Sequence, residues 1–70
     1  MNLLFATEGT EYLVKSITTE DPELDAFLFS LGCYSGEPIT LISRKKGICI
    51  VSIKDGRYCI DNQLAQAIEI

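Results

Sequence analysis

The sequence predicts a small, mainly β domain: a closed or nearly closed barrel of about five short strands, with one inserted α-helix. Three observations carry this expectation. The 70-residue length allows a single domain spanning 1–70, because a second could not bury a core of its own. Apolar runs rich in β-branched residues alternate with tight-turn signals. Only one segment repeats with the period of a helix. A barrel also removes free strand edges in a chain too small to cover them otherwise.

Gly9-Thr10-Glu11 reads as a turn, and Tyr12–Thr18 after it as the first strand. Tyr12 and Val14 share a face; Leu13 breaks the alternation, and a slip or bulge near Ser16 is required to turn Ile17 inward. Asp21-Pro22-Glu23 starts a helix over about 22–31: Asp accepts from free N–H groups, Pro loses no needed donor, and Glu suits the positive end of the dipole. Leu24, Phe27, Leu28 and Leu31 form one apolar stripe, and Gly32 ends the helix in a left-handed conformation. Phe29 falls roughly 140° from Leu24 at 100° per residue, off that stripe.

Pro38–Ser43 reads as a strand with Pro at its first position, where no ladder donor is lost. Arg44-Lys45-Lys46-Gly47 is a polar hairpin tip, Ile48–Lys54 the next strand, Asp55-Gly56 a two-residue turn and Arg57–Ile60 the return strand. Ile48–Ile53 is apolar in both registers, so either a bulge shifts it midway or both faces are covered. Asn62–Ala65 suits a 3-10 turn before a last strand at Ala67–Ile70. The expected core is Tyr12, Val14, Leu24, Leu28, Leu31, Ile39, Leu41, Tyr58, Ile60, Ile68 and Ile70, each on the apolar phase of its element.

Composition narrows function. A net charge of −4 opposes a phosphate-rich partner, so no nucleic acid is expected. The absence of histidine removes the commonest general base and metal ligand. Ser30, Ser35 and the thiols have no histidine to activate them, and the scattered glycines make no phosphate loop, so no catalytic residues are assigned. The three cysteines, Cys33, Cys49 and Cys59, cannot all pair and lack C-x-x-C spacing; they read as free thiols in a reducing compartment. No metal-ligand set is assigned, and only weak transition-metal binding is expected. Glu20, Asp21, Glu23 and Asp25 read as a solvated helix start rather than an acid–base pair or cation site. With no basic leader and no run near the ~18 apolar residues of a membrane span, the chain reads as cytoplasmic, without membrane insertion. Arg44-Lys45-Lys46 is a soluble tip or a contact for acidic groups.

Phe29, Cys33 and Tyr34 are the candidate partner-binding residues. Phe29 leaves the core stripe, and Cys33-Tyr34 follow directly in the turn; an aromatic outside the core often anchors an interface. The alternative is that the preceding loop folds over Phe29 and buries it.

The order of landmarks carries a resemblance. Gly9-x-x-Tyr12-x-Val14-x-x-Ile17 opens it, Leu28-x-x-Leu31-Gly32-x-x-x-Gly36-x-x-Ile39 and Tyr58-Cys59-Ile60 follow, and Leu64-Ala65-x-x-Ile68-x-Ile70 ends it. This resembles the FeoA family, small proteins that accompany the bacterial ferrous iron transporter FeoB. Ser35, where that family usually has Pro, and Asp61, where it often has a basic residue, depart from the pattern. The resemblance implies an SH3-like barrel, no known enzymatic activity, and a partner in the FeoB-type transporter, on whose cytoplasmic part the chain is expected to dock; the chain reads as a monomer or weak self-associate with no cofactor. The barrel is also similar to the C-terminal domain of iron-dependent repressors, which implies a metal-responsive regulatory module as the alternative.

Overall fold

The computed structural model describes residues 1–70. A 3-10 turn at Leu3–Phe5 is followed by β1 (Glu11–Leu13), β2 (Ser16–Ile17), α1 (Pro22–Ser30), β3 (Pro38–Lys45), β4 (Ile48–Ile53), β5 (Gly56–Asp61), α2 (Asn62–Ala67) and β6 (Ile68–Glu69). All pairings are antiparallel: a four-stranded sheet in the order β1-β3-β4-β5 and a two-stranded sheet of β2 and β6. The ladder therefore does not close on itself. The two sheets meet at the corner Val14-Lys15, where Val14 N–H donates to Glu37 O at 2.9 Å while Lys15 N–H donates to Glu69 O at 2.7 Å.

That corner corrects the single strand expected over Tyr12–Thr18. The chain leaves one sheet and joins the other, which turns Leu13 out to solvent and half-buries Ile17 without any bulge. The N-terminus, to which the sequence assigned no element, seals the open end. Asn2 Oδ1 accepts from Leu4 N–H at 2.9 Å, Leu3 is fully buried, and Ile70 N–H donates to Met1 O at 2.8 Å.

Helix α1 starts as expected: Asp21 Oδ1 accepts from Glu23 N–H at 2.9 Å, ahead of Pro22. It ends in a left-handed Gly32, φ +91°, with Gly32 N–H donating to Phe29 O at 3.0 Å and Cys33 N–H to Leu28 O at 2.9 Å. These two bonds satisfy carbonyls that the last turn leaves open. An alanine Cβ at Gly32 would lie 3.1 Å from Lys54 Cε and would sit at a φ that L-residues avoid. Gly32→Ala should therefore lower the unfolding free energy by roughly 1–2 kcal/mol in urea titration. The expected stripe is wider than the contact α1 makes. Only Leu28 is fully buried; Leu24 and Leu31 are half-buried and Phe27 is 46% exposed.

The register irregularity falls on β3, not β4. Leu41 pairs with Val51 and Ser43 with Ile50, so Ile42 is the extra residue. Strand β4 then alternates cleanly: Cys49, Val51 and Ile53 are buried, and Ile48 and Ile50 lie on the other face. The first hairpin turns at Lys46-Gly47, which places Arg44 and Lys45 in β3. The second turns at Lys54-Asp55, one residue earlier than expected, with Lys54 at φ 54°. Gly56 belongs to β5 and has a different reason to be glycine: a Cβ there would clash with the Tyr58 ring and its hydroxyl.

The 3-10 turn expected at Asn62–Ala65 is instead the six-residue helix α2. Asp61 Oδ1 accepts from Leu64 N–H at 2.8 Å, and the small Ala65 and Ala67 are buried. A helix this short persists through its cap and its packing rather than its propensity. The core confirms Val14, Leu28, Ile39, Leu41, Ile60, Ile68 and Ile70, with Tyr12, Leu31 and Tyr58 half-buried against it and Leu24 outside it. Leu3, Ala6, Cys33, Cys49, Val51, Ile53 and Ala65 complete it.

Candidate docking surface

Phe29 stands in the last turn of α1, about 100° around the helix from the buried Leu28, and is 64% exposed. The left-handed Gly32 reverses the chain and brings Tyr34 back beside it. The two rings lie with centroids 4.8 Å apart and planes tilted by 30°, within the range where offset aromatic pairs attract. The loop before the helix does not cover Phe29.

Lys54 adds a charged rim. Its Nζ lies 5.3 Å from the Tyr34 ring centroid and donates to Tyr34 Oη at 3.2 Å, and it stands 3.7 Å from Glu37 Oε2. Its stem passes over Gly32, which has no Cβ to obstruct it. The Tyr34 hydroxyl first, and then the Glu37 carboxylate, hold the Lys54 ammonium above its ordinary pKa, so it is charged throughout the neutral range. The outcome is an aromatic pair with a fixed cation over one ring and a hydroxyl at its edge. Such a surface can grip a partner through a small area.

Cys33 does not share this surface. It is 1% exposed and lies in the core, because the turn after Gly32 points alternate residues inward and outward. Burial pushes its thiol up to about 11. Sequence reasoning missed Lys54 and Glu37. The Asp55-Gly56 pair drew the hairpin turn one residue late and left Lys54 as a strand end. The left-handed backbone at Lys54 is what aims it back over Tyr34.

The other chemistry-bearing residues stay apart. Cys49 is buried, and desolvation raises its thiol against the opposing pull of Arg44. Cys59 is exposed. No three His, Cys, Asp or Glu side chains converge as a metal could require. Asp21 is occupied as a helix cap. Within the basic stretch, Arg44 is tied down: its Nη2 donates to Ala6 O at 2.7 Å and its backbone N–H to Glu8 Oε2 at 2.6 Å. No helix is long and apolar enough to cross a membrane.

Solved structures share this architecture. A manganese-dependent transcriptional repressor superposes with a TM-score of 0.88 at 23% identity, covering 97% of this chain and 39% of that one. The chain thus spans about two-fifths of the repressor's length. A crystal structure of an iron uptake regulatory protein (FeoA) gives a TM-score of 0.82 at 24% identity, covering 96% and 88% of the two chains. FeoA of Stenotrophomonas maltophilia complexed with zinc, described as a prokaryotic SH3 domain protein, gives 0.85 at 18% identity over 97% and 86%. These likenesses establish an SH3-like fold. No curated protein matches the sequence. The family model of the FeoA domain matches residues 1–70, the whole chain, and the protein belongs to that family.

Proposed function

We propose that this protein is a non-enzymatic accessory of ferrous iron uptake. It acts in the cytoplasm by docking on the cytoplasmic part of a FeoB-type transporter through Phe29, Tyr34 and Lys54. The observation that carries the reading is the FeoA-domain match along the whole chain. It is supported by the S. maltophilia neighbour, described as a candidate ferrous iron transport activating factor. The docking surface is argued from this chain itself: Phe29 is an exposed aromatic that the core does not use, held in place by Tyr34. Phe29→Ser should keep its unfolding free energy within about 1 kcal/mol of the parent, as exposed changes do. It should weaken capture of the transporter's cytoplasmic domain at least about tenfold, the loss of one interface anchor. Lys54→Ala should weaken capture in the same direction. Full-strength capture by both variants, folded, would place the surface elsewhere.

The likeness to the manganese-dependent repressor favours a second reading, a metal-responsive regulatory module. Anaerobic titration with ferrous, manganous and zinc ions separates the two. The accessory reading expects only weak binding, since the chain has no histidine and its thiols lie apart. A tight one-to-one site lost in a Cys→Ser variant would favour the regulatory module.

A further inference from the structure

Strand β5 ends the four-stranded sheet, with β4 on one side and no strand on the other. The hairpin geometry decides which of its backbone groups face that free edge. In a two-residue hairpin the pair flanking the turn, here Ile53 and Gly56, is hydrogen-bonded. Bonded and non-bonded pairs then alternate. Tyr58 and Ile60 therefore bond inward to Val51 and Cys49, while Arg57 and Cys59 direct both N–H and C=O outward and Asp61 its N–H, the Asp61 C=O being taken by the first turn of α2. The side chains of those same three residues are exposed.

An open edge is normally blunted by charge, and like charges would repel a second edge. Here the two charges are opposite in sign and placed symmetrically about Cys59. We propose that β5 pairs antiparallel with β5 of a second copy of this chain about a two-fold axis through Cys59. In that register Cys59 faces Cys59 of the second copy, and Arg57 faces its Asp61 at both ends. Cys59 then exchanges two backbone bonds with its copy, and at each end the Asp61 N–H meets the facing Arg57 C=O, because the outward-facing residues fall opposite one another. A two-fold contact needs a self-complementary patch, and +/thiol/− meets that condition whereas +/thiol/+ would not. Asp61 keeps a free oxygen for the contact, since only its Oδ1 accepts from Leu64 N–H. Six residues of edge make a small interface, so the dimer is weak and favoured by concentration. The edge uses neither Phe29 nor Lys54, so docking and pairing are separable.

The test is cross-linking of the full chain at Cys59 with a short bis-maleimide, followed by sedimentation across a concentration series. The parent should give a dimer linked through Cys59. Arg57→Glu, an exposed substitution that keeps the fold, sets like charges face to face twice and should reduce the linked dimer at least tenfold. Asp61→Asn, which keeps a side-chain oxygen for the α2 cap, removes the attraction at both ends and should lower the linked dimer in the same direction. An equimolar mixture of the two variants keeps one Arg57–Asp61 attraction and makes the other end neutral, so the heterodimer should exceed the dimer that either variant forms alone. Sedimentation as a monomer at all concentrations would overturn the proposal. So would cross-linking that Arg57→Glu leaves unchanged, or a mixture that links no better than either variant alone.

Discussion

Leu28→Ala should lower the unfolding free energy by about 2–5 kcal/mol, the usual span for emptying a fully buried leucine site. Leu28 is the one residue of α1 with no exposed surface, and it stands in the core with Cys33 and the sheet residues. Its carbonyl also accepts from both Leu31 and Cys33 N–H groups, which anchors the helix end over the same site. A domain of this size holds roughly 3–10 kcal/mol in all, at about 0.05–0.15 kcal/mol per residue. The substitution thus removes a large fraction of the stability. Each kcal/mol moves the thermal midpoint by about 4–8 °C here, so the shift is easily read by calorimetry. Phe27→Ala is the control: same helix, neighbouring position, but 46% exposed. It should cost much less. Equal losses in the two variants would show that helix formation, not burial of Leu28, sets the effect.

The helix was readable because its signals are local. Asp21, Pro22 and Gly32 act within one turn of themselves, so their meaning does not depend on the rest of the fold. What the helix rests on is not local. Leu24, Phe27, Leu28 and Leu31 look equivalent by period, yet only Leu28 is fully buried, Leu31 packs half-buried against the core, and Leu24 and Phe27 stay outside it. The same limit applied to the strands. Tyr12–Thr18 has the composition of one strand, but its two halves find different partners, Pro38–Thr40 and Ile68–Glu69. Nothing within the segment announces the corner at Val14-Lys15. Glu37, Gly36 and Glu69 supply it from elsewhere in the chain. Likewise Leu3 and Ala65 are core only because the two ends of the chain meet.

The candidate surface divides on the same principle. Phe29 was legible because falling off a helical stripe is a matter of angle alone. Cys33 was misplaced because adjacency to Phe29 in sequence says nothing about which way a turn residue points. Lys54 was missed because its role rests on a backbone φ of 54° and on a bare Gly32 two strands away in sequence. The inward thiol has an energetic consequence that the sequence alone could not supply.

Alkaline solution should destabilise the protein through Cys33. Desolvation raises its thiol from 9.0 to about 11, with no nearby cation to offset the burial. The native state therefore keeps this proton where the unfolded chain has released it. Stability falls with pH wherever the native state binds more protons, so the contribution is intact below pH 9 and is lost between 9 and 11. The loss from this one group is about 2 kcal/mol by pH 10.5, from 1.36 kcal/mol per unit. Lys54, whose ammonium is held above its ordinary value, adds a loss of the same sign higher in pH. The difference between the parent and Cys33→Ala isolates the thiol. The variant should start on the order of 1 kcal/mol less stable at neutral pH, for the lost packing, and the gap should close and reverse as pH rises. Native-state alkylation gives an independent reading: Cys59 should label quickly, while Cys33 and Cys49 react only on unfolding, because a buried protonated thiol is a poor nucleophile. A parent and a Cys33→Ala variant whose stabilities run parallel from pH 7.5 to pH 10.5 would show that Cys33 reaches solvent and that the turn after Gly32 opens.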